Sequence, residues 1–524
     1  MFNRNPRLRR LATLLSLSLV GGCGILSSDP TGGHPIVVGT TSYPSTLDPA
    51  ASWDDSWELF RNVYQTLLNY RPGTSSPVPD AADSCEFTST KDMTYRCVLR
   101  DGLTFSNGDK LDAQAVKYSI DRIMRINAAS GPAGLLDNLS RIDVSGDKEI
   151  IFQLKMPDAT FPLLLTTPAT SIVDPADYPA TAIREDSGIT GSGPYTLESY
   201  KDGQEAELAK NDLYKGVAER KNDGVTIRYF HDSSSLVKAL RSGKIDIIYH
   251  GLDSSDIVAL QSGSSDMKVS LSESEGVDIS YLVFNPKDPW ADKAAVRRAV
   301  AQVVDREAIA QHVFQNTVDP LYSTVPAGVY GHTTVFFDKF GEPNVPKARQ
   351  ILSDAGIHQR VPLTFWYTTD RYGSQTGAAF QELKRQLDDS GLFRITLEGR
   401  PWKTFAQGYQ QGKYPVFGRG WYPDFLDADN YITPFVGDHN ALGTPYDSPR
   451  ITDVLLPRSR RESDRVKAAK PLEQAEQIIA DDVQLLPLWQ GKQYIASAAD
   501  IAGAQWVLDP SMIMTMWQLY RIGL

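Results

Sequence analysis

Three carboxylates, Asp424, Asp427 and Asp429, stand within one short segment, RGWYPDFLDADNY (419–431), beside four aromatic rings. Acids held among flat side chains could do several kinds of chemistry. They could be a catalytic acid pair, a metal site, a ligand-binding loop, or only a well-packed turn. The segment has neither helical nor strand periodicity, and Pro423 interrupts it. A glycosidase pair is not supported, because sequence spacing in irregular backbone does not fix the distance between two carboxyl groups. A calcium loop is not supported either, since its central Gly and terminal Glu are missing. For Asp427 and Asp429 the reading that remains is turn chemistry or a helix cap.

Other chemistry is equally thin. The chain carries no phosphate loop, no G-x-G-x-x-G, no H-E-x-x-H and no G-x-S-x-G. Its seven histidines are scattered without ligand spacing. No cofactor, no metal and no enzymatic activity is expected. A net charge of −11 with no basic stripe to offset it argues against a nucleic-acid partner. The one basic cluster, PRSRRESDRVKAAK (457–470), alternates with acids and reads as a solvated helix start.

The N-terminus says where the chain works. Arg4, Arg7, Arg9 and Arg10 precede the apolar run LATLLSLSLV, too short to span a bilayer but suited to a signal-peptide core. VGGC follows and resembles a bacterial lipobox, so residues 1–22 are expected to be removed and Cys23 lipidated. Residues 23–34 read as a flexible leash. Cys85 and Cys97 then remain. Folded about Lys91, CEFTSTKDMTYRC is a hairpin with Cys85 opposite Cys97, Glu86 opposite Arg96 and Phe87 opposite Tyr95. Such a pair can meet disulfide geometry, and an exported protein would keep it oxidised.

The elements that must position these residues are mixed α/β. A chain of 524 residues exceeds one core. Short β-like runs (HPIVVGT, TYRCVLR, EIIFQLK, GVTIRYF, IDIIYH, ISYLVFN) alternate with helical patterns. DAQAVKYSIDRIMRI opens on an Asp112 cap. KAAVRRAVAQVVDREAIAQHVF (293–314) repeats apolar residues as one helical pattern. VPKARQILSDAGI starts near Pro346 and stops at Gly356. TGAAFQELKRQLDDSGLFRITL reads as a helix, a Gly391 turn and a strand.

Eight segments in order resemble the extracytoplasmic solute-binding proteins of oligopeptide and dipeptide ABC transporters (solute-binding family 5). They are STLDPA (45–50), TYRCVLRDGLTFSNGDKLDAQAVKYS (94–119), GSGPY (191–195), NDLYKG (211–216), LRSGKIDI (240–247), YLVFNPKDPWADKAAVRRAVAQVVDREAI (281–309), KARQILSDAGI (347–357) and GWYPDFLDADNY (420–431). The resemblance implies a two-lobed, periplasmic-binding-protein-like α/β clamp with an extra domain in one lobe. Domain I would comprise 35–60, 188–284 and 487–524, domain II 61–187 and domain III 285–486. Hinges are expected near 283–285 and 487–490.

It also implies a site. The stretch matching RGWYPD lines the family's cleft, and its Asp receives a peptide α-ammonium. By motif that residue is Asp424, with Gly420, Trp421 and Tyr422 as walls. Thr41, Ser42 and Tyr43 match a first-strand segment facing the cleft. Arg371 matches the Arg that grips a peptide carboxylate, with Arg419 a weaker candidate. The implied partners are a peptide, an ABC permease with its ATPase, and the outer face of the bacterial cell membrane through the lipid. A monomer is expected. Two alternatives share the scaffold: a non-peptide solute such as a metal chelate or oligosaccharide, and a peptide-sensing receptor that does not import.

Overall fold

The computed structural model describes residues 35–88, 92–263, 269–437 and 440–523. The signal sequence, the leash and the lipidation site Cys23 lie outside the described residues.

One eleven-stranded mixed sheet runs through the molecule. At one end are Phe393–Arg400, Val361–Thr368 and Val416–Trp421. At the other are Ile247–Ile248, Ile36–Thr40, Gly224–Tyr229, Glu205–Lys210 and Tyr195–Lys201. Two long antiparallel strands, Val269–Phe284 and Leu485–Ala498, lie between them and belong to both halves. Their C- and N-terminal parts, respectively, sit in an apolar core that includes Ile279, Phe284, Phe365, Phe417 and Leu486. A second core gathers Ile36, Val225, Ile247, Ile495 and Trp517. A long strand that changes cores along its length is what joins the two lobes of the clamp.

A separate four-stranded antiparallel sheet, Ala82–Phe87, Thr94–Leu99, Glu149–Leu154 and Leu139–Ser145, has its own core with the helix Ala113–Ile126. The hairpin register is as expected: Cys85 faces Cys97, Glu86 faces Arg96 and Phe87 faces Tyr95. The cysteines are bonded. The Phe87 and Tyr95 rings meet edge-on at 4.7 Å. The Asp112 carboxylate accepts the N–H groups of Gln114 and Ala115, the expected cap. Gly356 and Gly391 both have positive φ at their helix stops.

Two expectations need correction. The 293–314 pattern is two helices, Ala294–Val303 and Arg306–His312, because the Asp305 side chain accepts from Ala308 and starts a new helix. The 457–470 cluster is not simply solvated. It spans the helix Leu456–Arg460 and the start of Arg465–Asp482. Arg460 and Arg465 turn inward to pair with Asp429 and Asp427 at 2.8 and 2.7 Å.

Candidate functional site

The strand Val416–Trp421 carries only the start of RGWYPDFLDADNY, whose three acids follow it. On one side it pairs along its whole length with Val269–Phe284, Arg419 facing Tyr281 and Trp421 facing Ile279. On the other side it pairs with Val361–Thr368 only through Val416 and Phe417. Beyond Phe417 that edge has no strand partner among the described residues. A Cβ at Gly418 would lie 2.3 Å from the Phe380 ring, and one at Gly420 2.9 Å from the Tyr372 ring. Both glycines are therefore required by rings lying against the strand. At Pro423, which has no N–H to donate, the chain leaves the sheet.

Asp424 follows at once, 3% exposed. Asn430 holds it from both ends: its Oδ1 accepts the Asp424 N–H and its Nδ2 donates to the carboxylate, each at 2.9 Å. The other carboxylate oxygen accepts the Trp53 indole N–H at 2.6 Å, a bond arriving from the N-terminal lobe. No Lys, Arg or His among the described residues pairs with it. Burial therefore pushes its pKa up to about 6, with the Asn430 and Trp53 hydrogen bonds opposing. Asp427 and Asp429 differ. Asp427 caps the short helix Ala428–Tyr431, as the sequence suggested, and each of the two is held by an arginine.

Asp424 opens on a cavity of about 880 Å³ between the lobes. Arg371, Arg419, Gly420, Trp421, Tyr422, Thr41 and Ser42 also line it, so the structure brings eight of the nine candidate residues together. Tyr43 is not in the lining and is 52% exposed on the surface. Trp421 serves both cavity and core, meeting Phe435 edge-on at 5.1 Å and Trp53 at 6.3 Å. Tyr422 is 45% exposed, and it is a lining residue of the cavity.

The two arginines are not equivalent. The Arg371 guanidinium stands 4.7 Å over the Trp402 ring and 4.0 Å from Asp55 of the opposite lobe. Arg419 lies 4.7 Å over the Tyr409 ring and donates to the Ala441 carbonyl. It has no carboxylate partner among the described residues, and its buried Nε has no acceptor. The sequence ranks Arg371 first, while the geometry makes Arg419 the one of the two without a carboxylate partner among the described residues.

Sequence reasoning missed Trp53, the Glu58–His250 pair at 3.0 Å, and Asp278. A signal for the first was present: WDDSWE (53–58) is as rich in acids and rings as the segment around Asp424. Among the described residues no three metal-type side chains gather. No helix there is long and apolar enough to cross a membrane.

Comparison with known proteins agrees with this architecture. Residues 76–443 match the bacterial extracellular solute-binding proteins, family 5 (middle region). A probable D,D-dipeptide-binding periplasmic protein of Escherichia coli is 25% identical over 494 residues, covering 91% of this chain and 92% of that one. Among solved structures, a periplasmic binding protein of Helicobacter pylori in complex with the peptide STSA superposes with a TM-score of 0.80 at 22% identity. The match covers 93% of this chain and 98% of the other. A binding protein from A. tumefacien R10 in complex with agropinic acid gives the same TM-score and identity over 94% and 99%. These likenesses show the two-lobed fold.

Proposed function

The chain belongs to the bacterial extracellular solute-binding proteins of family 5, and from that premise we propose that it captures peptides between its lobes and delivers them to an ABC permease and its ATPase. The observation that carries the reading is Asp424. A buried carboxylate facing a cavity, hydrogen-bonded by neutral groups and lacking a cation, suits the α-ammonium of a peptide. The free edge beyond Phe417 offers backbone groups to an extended ligand, which gives affinity independent of its side chains. Arg419 and Arg371 suit the carboxylate end, since a guanidinium can grip carboxylate oxygens in pairs. Trp421, Tyr422 and Gly420 form the wall beside the anchor, with Thr41 and Ser42 across the cleft.

The same reading takes domains I to III as delimited from the sequence, with hinges near 283–285 and 487–490. It takes the mature protein as a monomer held at the extracytoplasmic face of the cell membrane through lipid on Cys23. Relatives of the chain include a dipeptide-binding protein and one solved with a peptide, which supports the ligand class.

A four-cornered titration tests it: one peptide and its N-acetylated form, each against wild type and Asp424→Asn. Losing one partner of a buried charge pair costs about 3–5 kcal/mol, or on the order of a hundredfold or more in affinity. Acetylation and Asp424→Asn should each produce that loss, and together little more, because both remove one contact. If free and acetylated peptides bind wild type equally, the amine anchor is wrong. A non-peptide solute, as in the agropinic acid complex, then becomes the leading ligand class.

A further inference from the structure

The cavity holds a second carboxylate, Asp278, to which the reading above gives no task. It stands where the pairing of the two crossing strands slips. Glu275 faces Lys492 and Ile279 faces Gln490, so residues 276–278 stand opposite Gly491 alone. A bulge of this kind re-aims the side chains it carries. Room for the carboxylate comes from glycine: a Cβ on Gly491 would lie 2.4 Å from one Asp278 oxygen and 2.5 Å from the other. A Cβ on Gly276 would lie 3.0 Å from one of them and 2.4 Å from the Gly491 carbonyl.

Asp278 is held as Asp424 is held, by a neutral donor. The Gln493 amide donates to it at 3.0 Å. Neither nearby cation forms an ion pair with it, although His250 acts on it through space. Lys492 pairs with Glu273 and Asp319, each at 3.3 Å. His250 is engaged by Glu58 at 3.0 Å. Burial pushes the Asp278 pKa up to about 6, with the backbone N–H, His250 and Gln493 opposing.

Asp278 and Asp424 both line the cavity, and Tyr431 lies within electrostatic reach of the two. The Tyr431 hydroxyl donates to the Val277 carbonyl at 2.7 Å, and its phenol pKa is raised by burial and then by both carboxylates. The Ser511 hydroxyl donates to the Asp424 carbonyl at 2.8 Å, and the neighbouring Met512 sulfur accepts the Val277 N–H at 3.3 Å. The whole lining is negative. Asp54, Asp55, Glu58 and Asp253 add to these two, against Arg371, Arg419 and Lys492 as permanent cations.

We infer that Asp278 and Asp424 form a two-cation subsite, resting on the peptide reading, whose preferred ligands are peptides with a basic amino-terminal residue. Asp424 takes the α-ammonium and Asp278 takes the side-chain cation of the same residue. The bulge and its two glycines are then a specificity device built into a strand that joins the lobes.

The test compares lysyl-alanyl peptides of two to five residues with the matching norleucyl-alanyl peptides, which keep the aliphatic chain and lose its charge. Calorimetric titration on wild type should show the lysyl series binding about tenfold tighter or more, the scale of a close charge pair. Asp278→Asn should abolish that preference and leave norleucyl affinity unchanged, while Asp424→Asn should weaken both series. Equal binding of the two series by wild type overturns the inference and leaves the peptide reading standing. So does an Asp278→Asn loss shared equally by both series, which would mark a merely structural residue. Binding of neither series overturns the peptide reading and this assignment with it.

Discussion

Asp424 and Asp429 are five residues apart, and both are almost fully buried, yet their surroundings differ. Asp429 is closed on all sides. Arg460 reaches it through two nitrogens, at 2.8 and 2.9 Å, and the Thr433 hydroxyl donates at 2.9 Å. Burial pushes its pKa up, but Arg460 and Thr433 outweigh that and leave it below the usual carboxylate range. Asp424 has only neutral donors and a cavity in front of it, and its pKa is up at about 6. The chain thus satisfies one acid completely and leaves its neighbour incomplete. The cost of an incomplete buried charge is what a cationic ligand would relieve on binding.

Breaking the complete pair should have the largest effect on stability. Asp429→Ala leaves Arg460, with a side chain 19% exposed, without its carboxylate. Removing one partner of such a pair costs about 3–5 kcal/mol. Urea unfolding should show a lower midpoint by that margin, with peptide affinity of the folded protein unchanged within about twofold, near the error of independent sites. A large affinity loss with intact stability would mean that Asp429, too, serves the ligand.

Acidity separates the two carboxylates by sign. The folded-state pKa of Asp424 is about 6, above its ordinary 3.8, so between these values the folded protein holds a proton that the unfolded chain does not. Its contribution is fully present below pH 3.8 and is lost as pH rises through 6. The range is roughly 3 kcal/mol at most, at about 1.4 kcal/mol per pKa unit. Asp429, with a lowered folded pKa, contributes the opposite way: its stabilisation is present above its ordinary pKa and lost as pH falls. Unfolding of the ligand-free protein between pH 4 and 7.5 should therefore show a smaller decline with rising pH for Asp424→Asn than for wild type. Peptide affinity of wild type should fall on acidification through pH 6, as the acid that must be ionised takes up a proton. Identical slopes for the two proteins would place the Asp424 pKa at its ordinary value and remove the sense of an incomplete charge.

Much of this was legible locally. The hairpin register follows from alternation about one turn. The Asp112 cap and the Gly356 and Gly391 stops follow from single-residue chemistry, and the place of Asp424 follows from a short motif. What was not legible depends on distant partners. The inward turn of Arg460 and Arg465 cannot be read from 457–470, since in isolation an alternating charge run looks solvated. Nor does 293–314 show its break, because Asp305 fits a helical charge pattern as well as a cap. The Trp53 indole meets a carboxylate 371 residues away. Asp278 looks like one more strand residue until the register against Leu485–Ala498 is known to slip beside it.

The smallest expected effect probes that long-range bond. Trp53 lies in the segment preceding the helix Trp57–Val63, and both it and Asp424 line the cavity. On the proposed division of the chain, their hydrogen bond at 2.6 Å crosses from one lobe to the other and would exist only while the lobes are together. Trp53→Phe keeps an aromatic ring near Trp421 but deletes the donor. A hydrogen bond to a charged group contributes about 1.5–3 kcal/mol, and the lower value applies here because Trp53 is 36% exposed and water can replace its N–H. Closure being part of binding, the loss should appear as roughly tenfold weaker peptide affinity. Each lobe keeps its own core, so unfolding without ligand should change little. Combining Trp53→Phe with Asp424→Asn should cost less than the sum of the two, because the indole loses most of its value once the charge is gone. Full additivity, or unchanged affinity in Trp53→Phe, would mean that the indole N–H is a bystander and that the lobes close on the ligand without help from Asp424's own partner.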